Sequence, residues 1–326
     1  MDRSFAARLT EWYDGAKRDL PWRKTRDPYQ ILVSEVMLQQ TRAQTVVPYY
    51  EKFLERFPTA RSLARTGDAE LLRLWSGLGY YQRARNLRDA ARRIVKCGGF
   101  PRDYDAIREL PGVGTYTAAA VASIAFGIDR AAVDGNVMRV IARLTGDAAD
   151  IGAAATRTRF ETVAGTLLDC RDPGRFNQAM MELGATICLP RNPLCLLCPV
   201  SAGCLAREQS KQSQLPVKLG RTAQVRIESR LLVIERAGKI LLWKRGADSR
   251  RLNGYWELPS AEELPKAREQ EAVGSFRHSI TNHNYVFTVV KAKIARAGNR
   301  FQWLERSRLE DLPLSTTTRK ALALLK

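Results

Sequence analysis

From Phe5 to about Leu183, apolar positions recur three and four residues apart, and small residues, Gly and Pro mark the breaks. That spacing is the signature of amphipathic helices. It predicts helices over 31–44, 69–74, 83–95, 116–125 and 137–144. A segment rich in Cys and Pro follows at 188–204, and then a polar stretch with little periodicity reads as a linker. Beyond it the texture changes. Runs at 228–235, 239–244 and 284–292 are rich in β-branched and aromatic residues and predict strands. The pattern therefore describes a two-domain chain: an all-α domain over 1–207, a linker over 208–224 and an α+β domain over 225–326. No internal repeat marks a solenoid. The longest apolar run, 118–128, is broken by Ser123 and Gly127, well short of the roughly 20 residues a membrane helix needs.

The length of 326 residues agrees with two domains, and 45% apolar with 27% charged residues suits packed cores. Lys and Arg number 53 against 34 acidic residues, a net charge of +19. Such a balance expects a polyanion, most simply nucleic acid. Ribosomal and chromatin proteins share it, so charge alone names no function. The start, Met-Asp-Arg-Ser-Phe, lacks the apolar core of a signal peptide, which makes a reducing compartment the default and a disulfide framework unexpected.

Glu35 lies inside the run Ile-Leu-Val-Ser-Glu-Val-Met-Leu. On a helix it sits beside Ile31, Leu32 and Leu38, a setting that desolvates the carboxyl and favours its protonated form. The alternative is a glutamate at a helix edge reaching solvent. Gln39, Gln40 and Thr41 follow, a polar triplet able to bond bases or phosphates. Leu-Pro-Gly-Val-Gly-Thr at 110–115 stands between two helical stretches. Gly112 and Gly114 allow a tight turn with N–H groups bared at a helix start, the helix–hairpin–helix device for gripping DNA phosphate, against the plainer reading of an interhelical turn. Asp134, in Val-Asp-Gly-Asn-Val, suits a helix N-cap, and its N–H donors would hold it ionised. One carboxyl kept protonated and another kept ionised is the pairing that glycosidic cleavage requires. The two histidines, His278 and His283, both fall in the second domain.

Cys188, Cys195, Cys198 and Cys204 have gaps of six, two and five residues. The prolines between them force a loop. Four thiolates so grouped suit an iron–sulfur cluster, with a four-cysteine zinc site as the alternative. Cys97 and Cys170 stand alone in helical surroundings and read as buried thiols.

Together, Glu35, the hairpin, Asp134 and the cysteine loop resemble the endonuclease III superfamily of helix–hairpin–helix DNA glycosylases. Within it, Leu-Pro-Trp-Arg at 20–23, Val-Ser-Glu-Val-Met-Leu-Gln-Gln-Thr at 33–41 and Gly-Leu-Gly-Tyr-Tyr at 77–81 are similar to the adenine-specific, MutY-type branch. So are Arg-Ala-Arg-Asn-Leu at 83–87, Asp-Gly-Asn-Val at 134–137 and Gln-Ala-Met-Met-Glu-Leu-Gly at 178–184. The resemblance implies base-excision repair: extrusion and hydrolytic removal of adenine opposite 8-oxoguanine or guanine. It assigns Glu35 as the acid that protonates adenine, Asp134 as stabiliser of the oxocarbenium-like sugar, and Tyr116 and Asn136 as residues that orient them. Trp22, Arg23 and Gln178 match the adenine pocket. Gln40 and Tyr80 match residues that enter or brace the base stack, Leu78 belongs to the same DNA-binding set, and Thr41 matches a contact to the opposite strand. Gly112 and Gly114 would cradle phosphate. Bifunctional relatives carry a lysine after the hairpin, where this chain has Tyr116, so little strand scission is expected. The four cysteines would hold a 4Fe-4S cluster, with Arg191 and Arg207 beside it toward the DNA backbone. A stripe of Arg85, Arg88 and Arg92 is equally a solvated face or a DNA contact.

Residues 225–326 resemble the MutT-like (Nudix-like) C-terminal domain of that family, through Leu-Leu-Trp-Lys-Arg at 241–245 and Leu-Asn-Gly-Tyr-Trp-Glu-Leu-Pro at 252–259. The Glu-rich motif of active Nudix hydrolases is missing after Pro259, and Pro265 interrupts the segment. The implied role is recognition of 8-oxoguanine. Strand register sets Ile280, Thr281 and Asn282 against the family's Phe-Ser-His loop, with Thr281 keeping a hydroxyl for the lesion; Phe276 to Ser279 resemble that loop locally. The implied partner is double-stranded DNA holding A:8-oxoguanine or A:G mispairs. A monomer in the bacterial cytoplasm, associated with the nucleoid and with no membrane, is expected. The competing readings are a glycosylase for thymine or uracil opposite guanine, and a non-enzymatic cluster-bearing DNA-binding protein.

Overall fold

The helical spacing is realised in the computed structural model, which describes residues 3–220, 223–246, 252–280 and 282–325. The helices run α1 (Arg3–Ala16), α2 (Pro28–Leu38), α3 (Ala43–Arg56), α4 (Ala60–Ala64), α5 (Asp68–Trp75), α6 (Gln82–Lys96) and α7 (Tyr104–Arg108). They continue with α8 (Thr115–Phe126), α9 (Gly135–Thr145), α10 (Ala154–Leu167), α11 (Pro173–Thr186) and the short α12 (Leu205–Glu208). The strands are β1 (Val225–Val233), β2 (Glu235–Arg236), β3 (Lys239–Lys244), β4 (Trp256–Glu257), β5 (Arg268–Ile280), β6 (His283–Lys293) and β7 (Phe301–Glu305), before α13 (Thr316–Ala323). By packing, residues up to 64 and 86–220 form one unit; 65–85 and those described beyond 222 form another. Among the described residues, no helix is long and apolar enough to cross a membrane.

In the first unit, α1, α9, α10 and α11 enclose a core of Leu9, Tyr13, Val137, Ile141, Phe160, Phe176 and Leu183. α2 is apolar on nearly every face and buried from Ile31 to Met37, as expected of a helix without a polar stripe. Two elements depart from the sequence reading. The helix expected over 31–44 is two helices. Gln40 takes a left-handed φ of 57 where the apolar run ends, Thr41 N–H donates back to the Leu38 carbonyl at 3.1 Å, and the chain restarts at Ala43. The polar stretch after 208 is also fastened down. Ile151 N–H donates to the Val217 carbonyl at 3.0 Å, and Arg143 Nε to the Leu215 carbonyl at 2.9 Å.

The second unit holds two sheets. β6 lies between parallel β1 and antiparallel β5, while β3 is flanked by β2, β4 and β7. Alternation buries both faces of the central strands. Leu231, Val233, Ile240, Leu242, Phe287 and Val289 fill one core, and Leu232, Ile234, Leu241, Val290 and Phe301 the other. Residues 65–85 join this unit through specific bonds. Tyr255 Oη donates to the Leu72 carbonyl at 3.0 Å, Ser76 Oγ to the Leu314 carbonyl at 2.7 Å, and Arg85 Nη2 to the Asn253 carbonyl at 2.6 Å. After Pro259 the chain forms turns and then β5. Phe276 to Ser279 lie within β5, paired to β6, so they form ladder and not loop. Thr281 lies outside the described residues.

Candidate active site

Glu35 is carried on the buried face of α2 and is only 5% exposed. Its Oε2 is buried without a hydrogen-bond partner, an expensive arrangement for a charged carboxylate. Burial pushes the Glu35 carboxyl up to about 7; the Tyr116 hydroxyl beside it opposes the shift, nearby Asp134 adds to it, and Arg23 opposes it. Tyr116, on the first turn of α8, donates to Met181 Sδ at 3.0 Å. Its own hydroxyl is pushed far up, first by burial and then by Glu35 and Asp134.

Asp134 is the N-cap of α9. Oδ1 accepts from Asn136 N–H at 2.9 Å and Val137 N–H at 2.7 Å, and Oδ2 accepts from Asn136 Nδ2 at 2.8 Å. Asn136 is fixed in turn, its Oδ1 accepting from Arg139 Nη2 at 2.9 Å. Gly184 makes room for it: a Cβ there would stand 2.8 Å from Asn136 Cβ.

Arg23, on the turn Pro21–Arg23, faces Glu35 electrostatically and donates to Glu182 at 2.6 Å. Glu182 is completely buried and also bonds Arg18 through two guanidinium nitrogens and the backbone N–H. Burial alone would raise its pKa, but the bonds from Arg18 and Arg23 outweigh it and hold the carboxyl at about 2. The Arg23 guanidinium also lies over the Tyr13 ring at 5.3 Å, and Tyr13 Oη donates to Gln178 at 3.1 Å. Trp22 is buried edge-on to Tyr50 at 5.4 Å. A cleft of about 180 Å³ is lined by Tyr13, Arg23, Ile124 and Gln178, among others. Breaking a buried pair leaves a charge uncompensated. Glu182→Ala is therefore expected to lower unfolding free energy by about 3–5 kcal/mol, read from urea melts beside the unaltered chain.

The structure thus brings together Glu35, Tyr116, Asp134, Asn136 and Arg23, with Gln178 adjoining through Tyr13. Gln40 is exposed, while Gln39 Nε2 reaches Thr117 Oγ1 at 3.4 Å and Thr41 Oγ1 donates to the Gln39 carbonyl at 3.4 Å. In the hairpin, Gly112 has φ 76 and no room for a side chain, since a Cβ would meet Asn86 at 2.6 Å. Gly114 is extended and its Cβ position open. Leu78 and Tyr80 lie in the second unit, the first buried and the second exposed.

The cysteine loop leans on α9. Arg139 Nε donates to the Cys188 carbonyl at 2.8 Å. The buried Arg143 donates to Cys188 Sγ at 3.3 Å and to the Leu189 carbonyl at 2.7 Å. Burial pushes the Cys198 thiol up to about 11, with repulsion from Cys188, Cys204 and Cys195 adding to the shift. The four thiols are neighbours in one loop, a donor set whose chemistry suits an iron–sulfur cluster once deprotonated, although they do not converge on a single ion site. Among the described residues, no group of three or more His, Cys, Asp or Glu side chains is disposed to hold a metal ion. Cys97 and Cys170 are exposed, not buried as their helical surroundings suggested. The arginine stripe is largely absorbed by packing: Arg88 is buried and Arg85 bonds Asp68 at 3.3 Å. Glu182 lies inside the quoted 178–184 motif without a role assigned to it there; Arg139 and Arg143 carry no motif and are hinted at only as charges inside an apolar helical stretch, and nothing in the sequence marks Arg18.

Residues 33–164 match the family model for HhH-GPD superfamily base excision DNA repair proteins. The chain is 46% identical over 223 residues to the adenine DNA glycosylase of Homo sapiens, covering 65% of this chain and 41% of that protein. It is 37% identical over 312 residues to the adenine DNA glycosylase of Arabidopsis thaliana, covering 82% of this chain and 49% of the other. The chain spans less than half the length of these two relatives. A solved thermostable thymine-DNA glycosylase is 34% identical with a TM-score of 0.56, covering 63% of this chain and 95% of that one.

Proposed function

Because the chain belongs to the HhH-GPD superfamily of base excision DNA repair proteins, we propose that it removes adenine from DNA, opposite 8-oxoguanine or guanine, by hydrolysing the N-glycosyl bond. The observation that carries this reading is the pair of carboxyls with opposed environments: Glu35 raised to about 7 by burial, and Asp134 held by three N–H donors. In the duplex the glycosidic bond is shielded, so the nucleotide must first turn out of the stack. Protonated Glu35 then gives its proton to the adenine ring, so that the base leaves neutral. As the C1′–N9 bond breaks, the sugar gains positive charge, which the Asp134 carboxylate stabilises before water attacks. Tyr116 and Asn136 orient the two carboxyls. Arg23, Trp22 and Gln178 form the base pocket, and the hairpin at 110–115 binds phosphate. Tyr116 offers no amine for a Schiff base, so the strand stays intact until treated with alkali.

Cys188, Cys195, Cys198 and Cys204 would hold a 4Fe-4S cluster, whose contribution is to fix the loop bearing Arg191 and Arg207. Purified protein is expected to contain iron and acid-labile sulfide. Cys198→Ser should lose both and bind DNA more weakly; zinc in place of iron would overturn the assignment. The second unit is the proposed reader of 8-oxoguanine, supported by a similarity to adenine DNA glycosylases that extends past the helical unit. Along the sequence we read the boundaries as 1–207, 208–224 and 225–326, with 65–85 packing in the second unit and 208–220 against the first.

The test is single-turnover base release from A:8-oxoguanine, A:G and T:G duplexes, with and without alkali. Release of adenine, visible as a break only after alkali, is expected. The likeness to a thymine-DNA glycosylase makes T:G the informative competitor: release of thymine alone would replace the adenine reading.

A further inference from the structure

Gly-Leu-Gly-Tyr-Tyr at 77–81 connects α5 to α6 within the second unit. Tyr80 leaves 50% of its surface exposed, although a tyrosine ring ordinarily gains by burial. Its backbone sits at φ 47, the left-handed region that costs a residue with a Cβ roughly 1–2 kcal/mol. Strain of this kind persists only where the surroundings impose it, and it gathers at working sites.

The surroundings here converge on Arg83, the second residue of α6. Its side chain is buried beneath the loop at 9% exposure. It donates to the Leu78 carbonyl at 3.1 Å and the Gly79 carbonyl at 3.2 Å. The same guanidinium lies 5.6 Å from the ring centres of both Trp75 and Tyr80. Trp75 completes the support, its Nε1 donating to the Gly79 carbonyl at 3.2 Å. Burial lowers the Arg83 pKa to about 10, so the site keeps a charge it must desolvate. The next residue turns the other way: Tyr81 packs on Tyr255 at 3.9 Å, and its hydroxyl shares a hydrogen bond with Thr316 at 3.0 Å. Two consecutive tyrosines thus divide the work, one anchored and one displayed.

We infer that Arg83 is a positioning residue that presents Tyr80 as a preformed wedge for the DNA base stack. The inference rests on the DNA glycosylase reading above and adds to it the residue that sets the wedge. Stacking an aromatic ring on a base is worth about 1–3 kcal/mol, the same order as the cost of unstacking the base that leaves. A loop ordered beforehand delivers that gain without an ordering cost on binding. Loss of the support therefore hinders opening of a paired duplex and leaves chemistry on an already open adenine alone.

The experiment compares the full chain with Arg83→Met, which keeps the stem and loses the donors, and with Tyr80→Ala. It measures fluorescence of 2-aminopurine placed beside the mispair, and adenine release from a paired duplex against the same strand with the adenine in a bulge. Both variants are expected to lose the fluorescence rise and at least tenfold in duplex release, and Arg83→Met is expected to keep bulge release within twofold of the unaltered chain. Equal loss on both substrates, or an Arg83→Met variant that keeps duplex release and fluorescence while Tyr80→Ala loses them, overturns the assignment. If Arg83→Met does not fold, Trp75→Phe keeps a ring but removes the second bond to Gly79, and it should give a smaller loss confined to the duplex; no such loss overturns it too. Absence of adenine release by the unaltered chain defeats the glycosylase reading alone, because the fluorescence comparison still decides the wedge.

Discussion

Glu35→Gln is expected to cut single-turnover adenine release by about 10²–10⁴-fold, the range for losing a general acid. Glutamine fills the same space but has no proton to give. The unaltered chain should show the cause in its pH profile. Because burial raises the Glu35 pKa to about 7 from 4.5, the acid is protonated below pH 7, and the rate should fall about tenfold per unit above it. The profile of Glu35→Gln should be flat over the same range. Stability should fall with pH in the same direction, but respond oppositely to the substitution. A raised carboxyl favours the fold fully below its unfolded pKa of 4.5, and that contribution is lost as pH rises through about 7. Ionising Glu35 in place then costs about 3 kcal/mol, so Glu35→Gln is expected to raise Tm at pH 8 while it removes activity. An unchanged rate in Glu35→Gln would end its role as acid.

The carboxyl pair was readable because each partner is declared locally. An acidic residue inside Ile-Leu-Val-Ser-Glu-Val-Met-Leu left a helix edge open as well as the interior until the structure buried it, and Asp before Gly-Asn-Val has the grammar of an N-cap. The hairpin was equally local, since Gly112 occupies a backbone position closed to any side chain. What sequence periodicity concealed was long-range. The clamp on Arg23 comes from Glu182, 159 residues away, and no spacing rule links them. The helix break at Gln40 carries no breaker, since 39–42 hold neither Gly nor Pro. Cys97 and Cys170 are exposed although cysteine is among the most often buried residue types, so residue type alone misplaces them.

Charge was the most ambiguous feature, and the structure divides it. Arg143, Arg139, Arg83 and Arg88 are buried, and the first three bind backbone carbonyls. Arg18 and Arg23 neutralise Glu182. A net charge of +19 therefore overstates the surface offered to a polyanion, since guanidinium forks here also serve as internal ties. The arginines in and just beyond the cysteine loop differ: Arg191 and Arg207 are exposed.

Asp134→Asn separates the two tasks of that residue. As an N-cap, asparagine is the equal of aspartate, and its side-chain oxygen can keep the bonds from Asn136 N–H and Val137 N–H. What it cannot keep is the second acceptor: its amide would face Asn136 Nδ2, donor against donor, at the 2.8 Å contact now made by Oδ2. The helix should survive with a stability loss of about 1 kcal/mol. The reaction should not, because the negative charge opposite the developing oxocarbenium is gone. Losing one preorganised electrostatic partner typically costs 10²–10³-fold, and a full charge should reach at least the upper end. Binding to a mispaired duplex should persist within a few fold, since phosphate contacts dominate affinity. Single-turnover release, a thermal melt and a binding titration on one preparation decide it. An active Asp134→Asn variant would reduce Asp134 to a helix cap, leaving Glu35 to act alone.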